Sequence, residues 1–155
     1  MGELVSIVYK PQDAPSREGS YTRLPLQEAR LVVGKGIEGD LKGTNEARQL
    51  NIMAVSAVMD LAGEGFRADP GSLGEQLLLS DIDIDSLPAG TRLRIGQSAC
   101  VEITEPRTGC GKFEQYQGKQ RKEASGRLGQ MARVVAEGII RVGDTVHVLA
   151  STGVI

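Results

Sequence analysis

Thr91-Arg92-Leu93-Arg94-Ile95-Gly96-Gln97-Ser98-Ala99-Cys100-Val101-Glu102-Ile103-Thr104 holds two short apolar alternations separated by a glycine. Leu93 and Ile95 share one face of a first run. Ala99, Val101 and Ile103 alternate with less apolar residues in a second. Alternation with period two places successive side chains on opposite faces of a strand. Gly96-Gln97-Ser98 lies between the two runs and reads as a turn. Two consecutive strands joined tightly are therefore expected here, with Leu93, Ile95, Val101 and Ile103 turned to the same core.

The same signal recurs along the chain in both directions. Leu4 to Tyr9 reads as a strand. Leu24, Leu26, Ala29, Leu31 and Val33 suggest one or two more, ending at Gly34. Arg48 to Met53 is short and alternating, with Leu50 and Ile52 on one side. Met131–Val135 and Gly138–Val142 read as strand or short helix, and Thr145–Leu149 as a final strand that turns Val146 inward. Residues 10–22 carry Pro11, Pro15 and Gly19 and read as loop. The one helix expected runs from a Ser56 cap through Ala57, Val58, Met59, Leu61 and Ala62 to Gly63. Residues 112–127 are rich in Lys and Arg and read as a solvated segment. Twenty glycines and many short strands at near-regular spacing argue an all-β domain over residues 1–155. The expected form is a closed or partly open β-barrel of short strands with one or two short helices. A Rossmann sheet would need long amphipathic helices that the pattern lacks.

Bulk properties exclude several function classes. A chain of 155 residues with 40% hydrophobic and 25% charged residues is the size and composition of one ordinary globular domain. The net charge of -2 and an aromatic content of 3% without Trp give no basis for nucleic-acid binding, which needs a basic face and stacking platforms. No run approaches the roughly 18 apolar residues of a membrane span. The first residues, Met1 to Tyr9, lack the basic region and apolar core of a signal peptide. Two cysteines make no disulfide framework, so a reducing cytoplasmic setting with free thiols is expected.

The second strand runs into Pro106-Arg107-Thr108-Gly109-Cys110-Gly111-Lys112. Pro106 cannot donate to a ladder and ends the strand. Cys110 then stands between two glycines, with Arg107 on one side and Lys112 on the other. Nearby cations favour the thiolate, which is both the nucleophile and the metal-binding form. Cys110 is therefore expected to react ahead of Cys100, which lies inside a strand. The plainer alternative is a thiol that merely sits in a loop. Arg48, Arg107, Lys42 and Lys112 each lie near a loop or a strand end. A barrel that brings those ends together makes an anion site beside Cys110; otherwise they are four solvated cations. Asp40 suits loop bracing through amide hydrogen bonds, and Glu75, which follows a turn, suits bonding to loop amides or to an arginine. Gly34-x-Gly36-x-x-Gly39 matches the dinucleotide fingerprint in spacing, but no helix pattern follows it. His147 is the single histidine, too few for a zinc site with the two cysteines. No Gly-x-Ser-x-Gly elbow is present for a serine hydrolase.

Taken in order, these pieces resemble a MOSC domain, the module named after the C-terminal domain of molybdenum-cofactor sulfurases. Gly36-Ile37-Glu38-Gly39-Asp40 resembles the family's Gly-x-x-Gly-Asp segment, and Arg48-Gln49-Leu50 its arginine-led strand. Gly71-Ser72-Leu73-Gly74-Glu75-Gln76-Leu77 resembles its Gly-x-x-x-Glu-Asn-Leu segment. Gly90–Gly96, Arg107–Cys110 and Val142-Gly143-Asp144 fit the remainder. The chain departs from the family in two places. Lys42 stands where a histidine is frequent, and Gln76 where an asparagine is usual.

The resemblance implies a strand-rich barrel and a role for the loop cysteine, Cys110. The implied cofactor is molybdopterin-type, with Arg48, Arg107, Lys42 and Lys112 as partners of its anionic groups and Asp40 and Glu75 beside them. Cys110 would carry or transfer sulfur, or ligate molybdenum. Pyridoxal phosphate is associated with the family through a separate fused domain, and no site for it is found in this chain. A cysteine desulfurase or an electron-transfer protein is the implied partner, with no nucleic acid and no membrane. Two alternatives stand beside the sulfur carrier. One is a component of a molybdenum-dependent reductase acting on N-hydroxylated compounds. The other is a non-catalytic anion-binding module in which Cys110 is incidental.

Overall fold

The computed structural model describes residues 1–11, 23–40 and 49–149. Eleven strands appear among them: β1 (Gly2–Tyr9), β2 (Leu24–Leu26), β3 (Glu28–Val32), β4 (Gly36–Ile37), β5 (Leu50–Ala54), β6 (Leu77–Ser80), β7 (Arg92–Ile95), β8 (Ala99–Pro106), β9 (Gln130–Ala136), β10 (Gly138–Arg141) and β11 (Thr145–Leu149). Two α-helices accompany them, α1 (Val55–Gly63) and α2 (Gly111–Gln117), with single 3-10 turns at Ile84–Ser86 and Arg121–Ala124.

Seven strands close into a barrel in the order β1-β6-β5-β9-β8-β7-β11, and β11 returns to β1 through Gly2↔Val146 and Glu3↔Thr145. Closure removes the sheet edges that would otherwise template aggregation. Residues 92–106 form the β7–β8 hairpin, in register Leu93↔Val101 and Ile95↔Ala99. Ile52, Leu93, Ile95, Val101, Ile103 and Val146 all lie in the barrel core, as the alternation predicts. β5 and β6 are the parallel pair. A parallel pair cannot be joined by a tight turn, and α1 with the segment after it supplies the crossover. A smaller sheet, β10-β3-β4, adds Ala29, Leu31, Ile37 and Ile140 to the same core. Ile52 is fully buried, so Ile52→Ala should cost about 2–5 kcal/mol in a urea titration. A loss below 0.5 kcal/mol would place Ile52 outside the core.

A second apolar cluster sits on the outer side of β5: Met53, Val58, Leu61, Phe66, Leu73, Phe113, Ala124 and Leu128. It corrects two expectations. Residues 112–127 are not simply a solvated segment, because α2 buries Phe113 and Gln117 and the following turn buries Ala124. The apolar positions there are too sparse to show a period among the lysines and arginines. α1 begins at Val55 rather than after Ser56, and its N-cap, Ala54, offers no side-chain bond. Burial of Ala57, Val58 and Leu61 on one face holds the helix instead. The glycine-spaced stretch 34–39 belongs to a β3–β4 hairpin, with Val32↔Gly36 and Leu31↔Ile37 paired, and has the form of a turn rather than a dinucleotide loop. No helix among the described residues is long and apolar enough to cross a membrane.

Candidate functional site

The site is built where β5, β6 and β8 start or end, on the face that carries the second cluster. The loop Asp69–Gln76 leads into β6 and is wound tightly. Ser72 N donates to Asp69 O at 2.8 Å, and Gly74 N to Gly71 O at 2.9 Å. Glu75 lies inside this loop, 2% exposed, and its Oε2 accepts from Gly71 N at 2.9 Å. Its Oε1 has no hydrogen-bond partner among the described residues.

Arg107 comes to the same loop from the far side. It follows β8, its amide donates to Gly129 O at 3.1 Å, and its guanidinium donates to Leu73 O. The guanidinium also stacks 5.6 Å from the centroid of the Phe113 ring, a cation–π contact. Gly74 makes the approach possible. A Cβ there would lie 2.6 Å from Arg107 Cζ, and Gly74 has φ +87°, a region that glycine enters without steric cost.

Beside this loop, Gln76 ties three segments together. Its Oε1 accepts from Asn51 N at 2.7 Å, and its Nε2 donates to Asp40 Oδ2 at 3.3 Å. Its own amide donates to Asn51 O at 2.9 Å, and its carbonyl accepts from Val8 N at 2.8 Å. Asp40 Oδ1 accepts from Lys10 N at 3.0 Å. Asp40 therefore braces the end of β1 against the start of β6. The Gln76 side chain thus joins Asn51 to Asp40. Gln49 Oε1 accepts from Val134 N at 2.9 Å and extends the β5–β9 ladder.

Cys110 is exposed and is the N-cap residue of α2; its carbonyl accepts from Glu114 N at 3.0 Å. The loop that presents it is packed from below: a Cβ on Gly109 would meet Arg121 Cβ and Leu128 Cδ1 at 3.3 Å. Gln117, at the other end of α2, fastens the helix to the Glu75 loop. Its Oε1 accepts from Arg67 N at 2.6 Å and its Nε2 donates to Ser72 O at 2.9 Å. Lys112 lies half-buried in the first turn of α2. Neither cysteine is in a disulfide. Cys100 is half-buried on β8, and burial pushes its thiol pKa up.

The structure thus brings Asp40, Glu75 and Arg107 to one end of the barrel wall and places Cys110 three residues beyond Arg107. Arg48 and Lys42 lie outside the described residues. His147 sits on β11, and no group of three or more His, Cys, Asp or Glu able to hold a metal occurs among the described residues. Asn51 and Gln117 were missed by sequence reasoning, and Gln76 was noted only as a departure from the family's asparagine. A signal existed for Asn51 alone, as a polar residue in an otherwise apolar strand. A separate cleft of about 480 Å³ includes Arg30, Glu137, Arg141 and Asp144 in its lining. Its arginines are paired, Arg30 with Glu137 at 3.2 Å and Arg141 with Glu28 at 2.7 Å.

Comparison with known proteins places this arrangement. The family model for the MOSC domain matches residues 38–147, which takes in the Asp40, Glu75, Arg107 and Cys110 positions. The chain belongs to the MOSC domain family. A protein named "Reductase" from Gibberella moniliformis is 31% identical to this MOSC domain over 85 residues. That match covers 52% of the chain and 15% of the fungal protein, so the domain spans a small part of that relative's length. Among solved structures, the YUAD protein of Bacillus subtilis superposes with a TM-score of 0.76 at 18% identity, covering 94% of each chain. YiiM from Geobacillus stearothermophilus gives 0.73 at 20% identity over 97% of this chain and 76% of its own. YiiM from Escherichia coli gives 0.67 at 18% identity, over 97% and 71% respectively. These structures share the MOSC barrel fold.

Electrostatics at Glu75 yield a further expectation. Burial pushes its carboxyl pKa above the ordinary 4.5, while the Gly71 amide and Arg107 pull it down without prevailing. The folded state therefore holds the proton more tightly than the unfolded one. Stability from this group is full below pH 4.5 and declines as pH rises through the folded-state pKa. Glu75→Gln should remove that decline while keeping an oxygen for the Gly71 amide. Urea titrations of both proteins from pH 4 to 8 check it; parallel pH profiles would contradict it.

Proposed function

We propose that this MOSC domain binds a molybdopterin-type cofactor and that Cys110 faces it as the sulfur-carrying or molybdenum-ligating thiolate. One observation carries the reading. The Arg107 guanidinium is held against the Glu75 loop by a backbone carbonyl and an aromatic ring, three residues along the chain from an exposed cysteine. A guanidinium so placed keeps donors to offer an anionic group, and an exposed thiol is open to exchange or to a soft metal.

The donor set fits the group. Arg107 offers a planar fork to a phosphate, and Cys110 a soft ligand. One buried atom of the loop, Glu75 Oε1, and the Asn51 side-chain amide have no hydrogen-bond partner among the described residues. Arg48, Lys42 and Lys112 are the further cations proposed for the anionic groups. When bound, the cofactor supplies redox and sulfur chemistry. The chain's own residues bind and orient it: Asp40 and Gln76 fix the loops, Arg107 neutralises charge, and Cys110 presents its sulfur. As a sulfur carrier, Cys110 thiolate attacks the outer sulfur of a donor persulfide. A new S–S bond forms on Cys110 and the donor leaves as a thiolate. That donor is a cysteine-desulfurase type of partner.

The name of the fungal relative favours a second reading, a reductase component fed by an electron-transfer partner. Recombinant protein co-expressed with cofactor synthesis and analysed for molybdenum and pterin tests the proposal. Near-stoichiometric pterin is expected. Absence of both would leave the anion-binding module.

A further inference from the structure

We propose that Asn51 is a ligand-reading residue of this site, its primary amide engaging an adjacent donor–acceptor edge of a bound heterocycle. The inference rests on the cofactor reading above and names a contact that neither Cys110 nor Arg107 supplies.

Asn51 lies in β5 between Leu50 and Ile52, both of which point into the barrel. Its side chain therefore falls on the outer face, beside that of Met53, which is in the second cluster. Its backbone is fully engaged: N donates to Gln76 Oε1 and O accepts from Gln76 N. Its side chain is different. The residue is 2% exposed, and neither Oδ1 nor Nδ2 has a hydrogen-bond partner among the described residues. Buried amides are normally paired, and an orphan calls for a specific explanation. Packing does not require an amide here, because Met53 fills the next outward position with an apolar side chain. Three buried polar side chains nearby are bonded: Gln49 to Val134, Gln76 to Asn51 and Asp40, and Asp40 to Lys10. The second orphan is Glu75 Oε1, one residue before Gln76. Two orphans beside one partner residue mark a place that the protein alone does not complete.

The Arg107 guanidinium reaches Leu73 and stacks on Phe113, and both of these pack in the second cluster with Met53, the outward neighbour of Asn51 on β5. A ligand held by the Arg107 guanidinium beside Leu73 lies on the side of the wall that carries this cluster. Asn51 Nδ2 can then donate to a ring carbonyl while Oδ1 accepts from the adjacent ring N–H. A pterin lactam presents that edge. An ionised phosphate, which has acceptors only, does not.

The test uses the full chain co-expressed with molybdopterin synthesis, as wild type, Asn51→Leu and Asn51→Ala. Co-purified pterin is quantified by fluorescence after oxidation, and the pterin-free proteins are melted. Asn51→Leu should lose tenfold or more of the bound pterin while its pterin-free form melts about 2–4 °C higher, because an unsatisfied buried amide has been removed. Asn51→Ala should lose pterin to the same degree, and decides the matter if the leucine variant does not fold. Pterin retained by folded variants at the wild-type level would overturn the role of Asn51 alone. So would a melting temperature of Asn51→Leu below wild type, which would mark a structural amide. A wild type that carries no pterin would overturn both this inference and the cofactor reading.

Discussion

Replacing Cys110 by Ser is expected to abolish sulfur loading and molybdenum retention while leaving the fold intact. The side chain is exposed and lies outside both apolar clusters, so exchanging sulfur for oxygen should change stability by less than about 0.5 kcal/mol. Chemistry should change far more, since a serine hydroxyl is neither a persulfide carrier nor a soft ligand. Cys100→Ser is the matched control. Cys100 is half-buried, its thiol pushed up by burial, so this change should affect packing and leave loading alone. Sulfane-sulfur and metal analysis of both variants checks the pair. Loading that survives in Cys110→Ser would remove Cys110 from the chemistry.

The second large effect is expected at Arg107. Its guanidinium lies against the Glu75 loop, through Leu73 and over Gly74. A charge-assisted hydrogen bond to a buried anionic partner contributes about 1.5–3 kcal/mol, so Arg107→Ala should weaken binding of an anionic cofactor roughly 10- to 150-fold. Arg107→Lys should recover a part, since Lys keeps the charge but not the planar fork. Gly74→Ala should mimic the loss without touching the arginine, because a methyl group there occupies the space of the guanidinium. Equilibrium dialysis against released cofactor separates the three. Full affinity in Gly74→Ala would show that the observed pose of Arg107 does not matter for binding.

Much of the barrel was legible from period-two alternation, because each barrel strand has one face in a continuous core. Leu93, Ile95, Val101 and Ile103 alternate cleanly and are buried accordingly. The second cluster was not legible. It is assembled from Met53, Phe66, Leu73, Phe113 and Leu128, which are widely spaced in sequence and share no local period. For the same reason α2 was hidden by its charged neighbours, and the outer face of β5 gave no sign of being covered. Asp40 and Glu75 could be named as loop braces because carboxylates near glycine turns have few other uses. Their actual partners, the Lys10 amide, Gln76 and the Gly71 amide, depend on chain crossings that no local pattern encodes. Asn51 shows the limit most clearly. Its polarity was visible in the sequence, but that its amide is left unpaired appears only once β6 and Gln76 are placed beside it.

The central claim, that Cys110 faces the bound cofactor, is tested most directly by thiol footprinting. Iodoacetamide labelling with mass mapping is run on the loaded protein and again after cofactor release. Cys110 should be protected when loaded and labelled rapidly once released, with Cys100 slow in both. Equal labelling of Cys110 in the two states would contradict the claim.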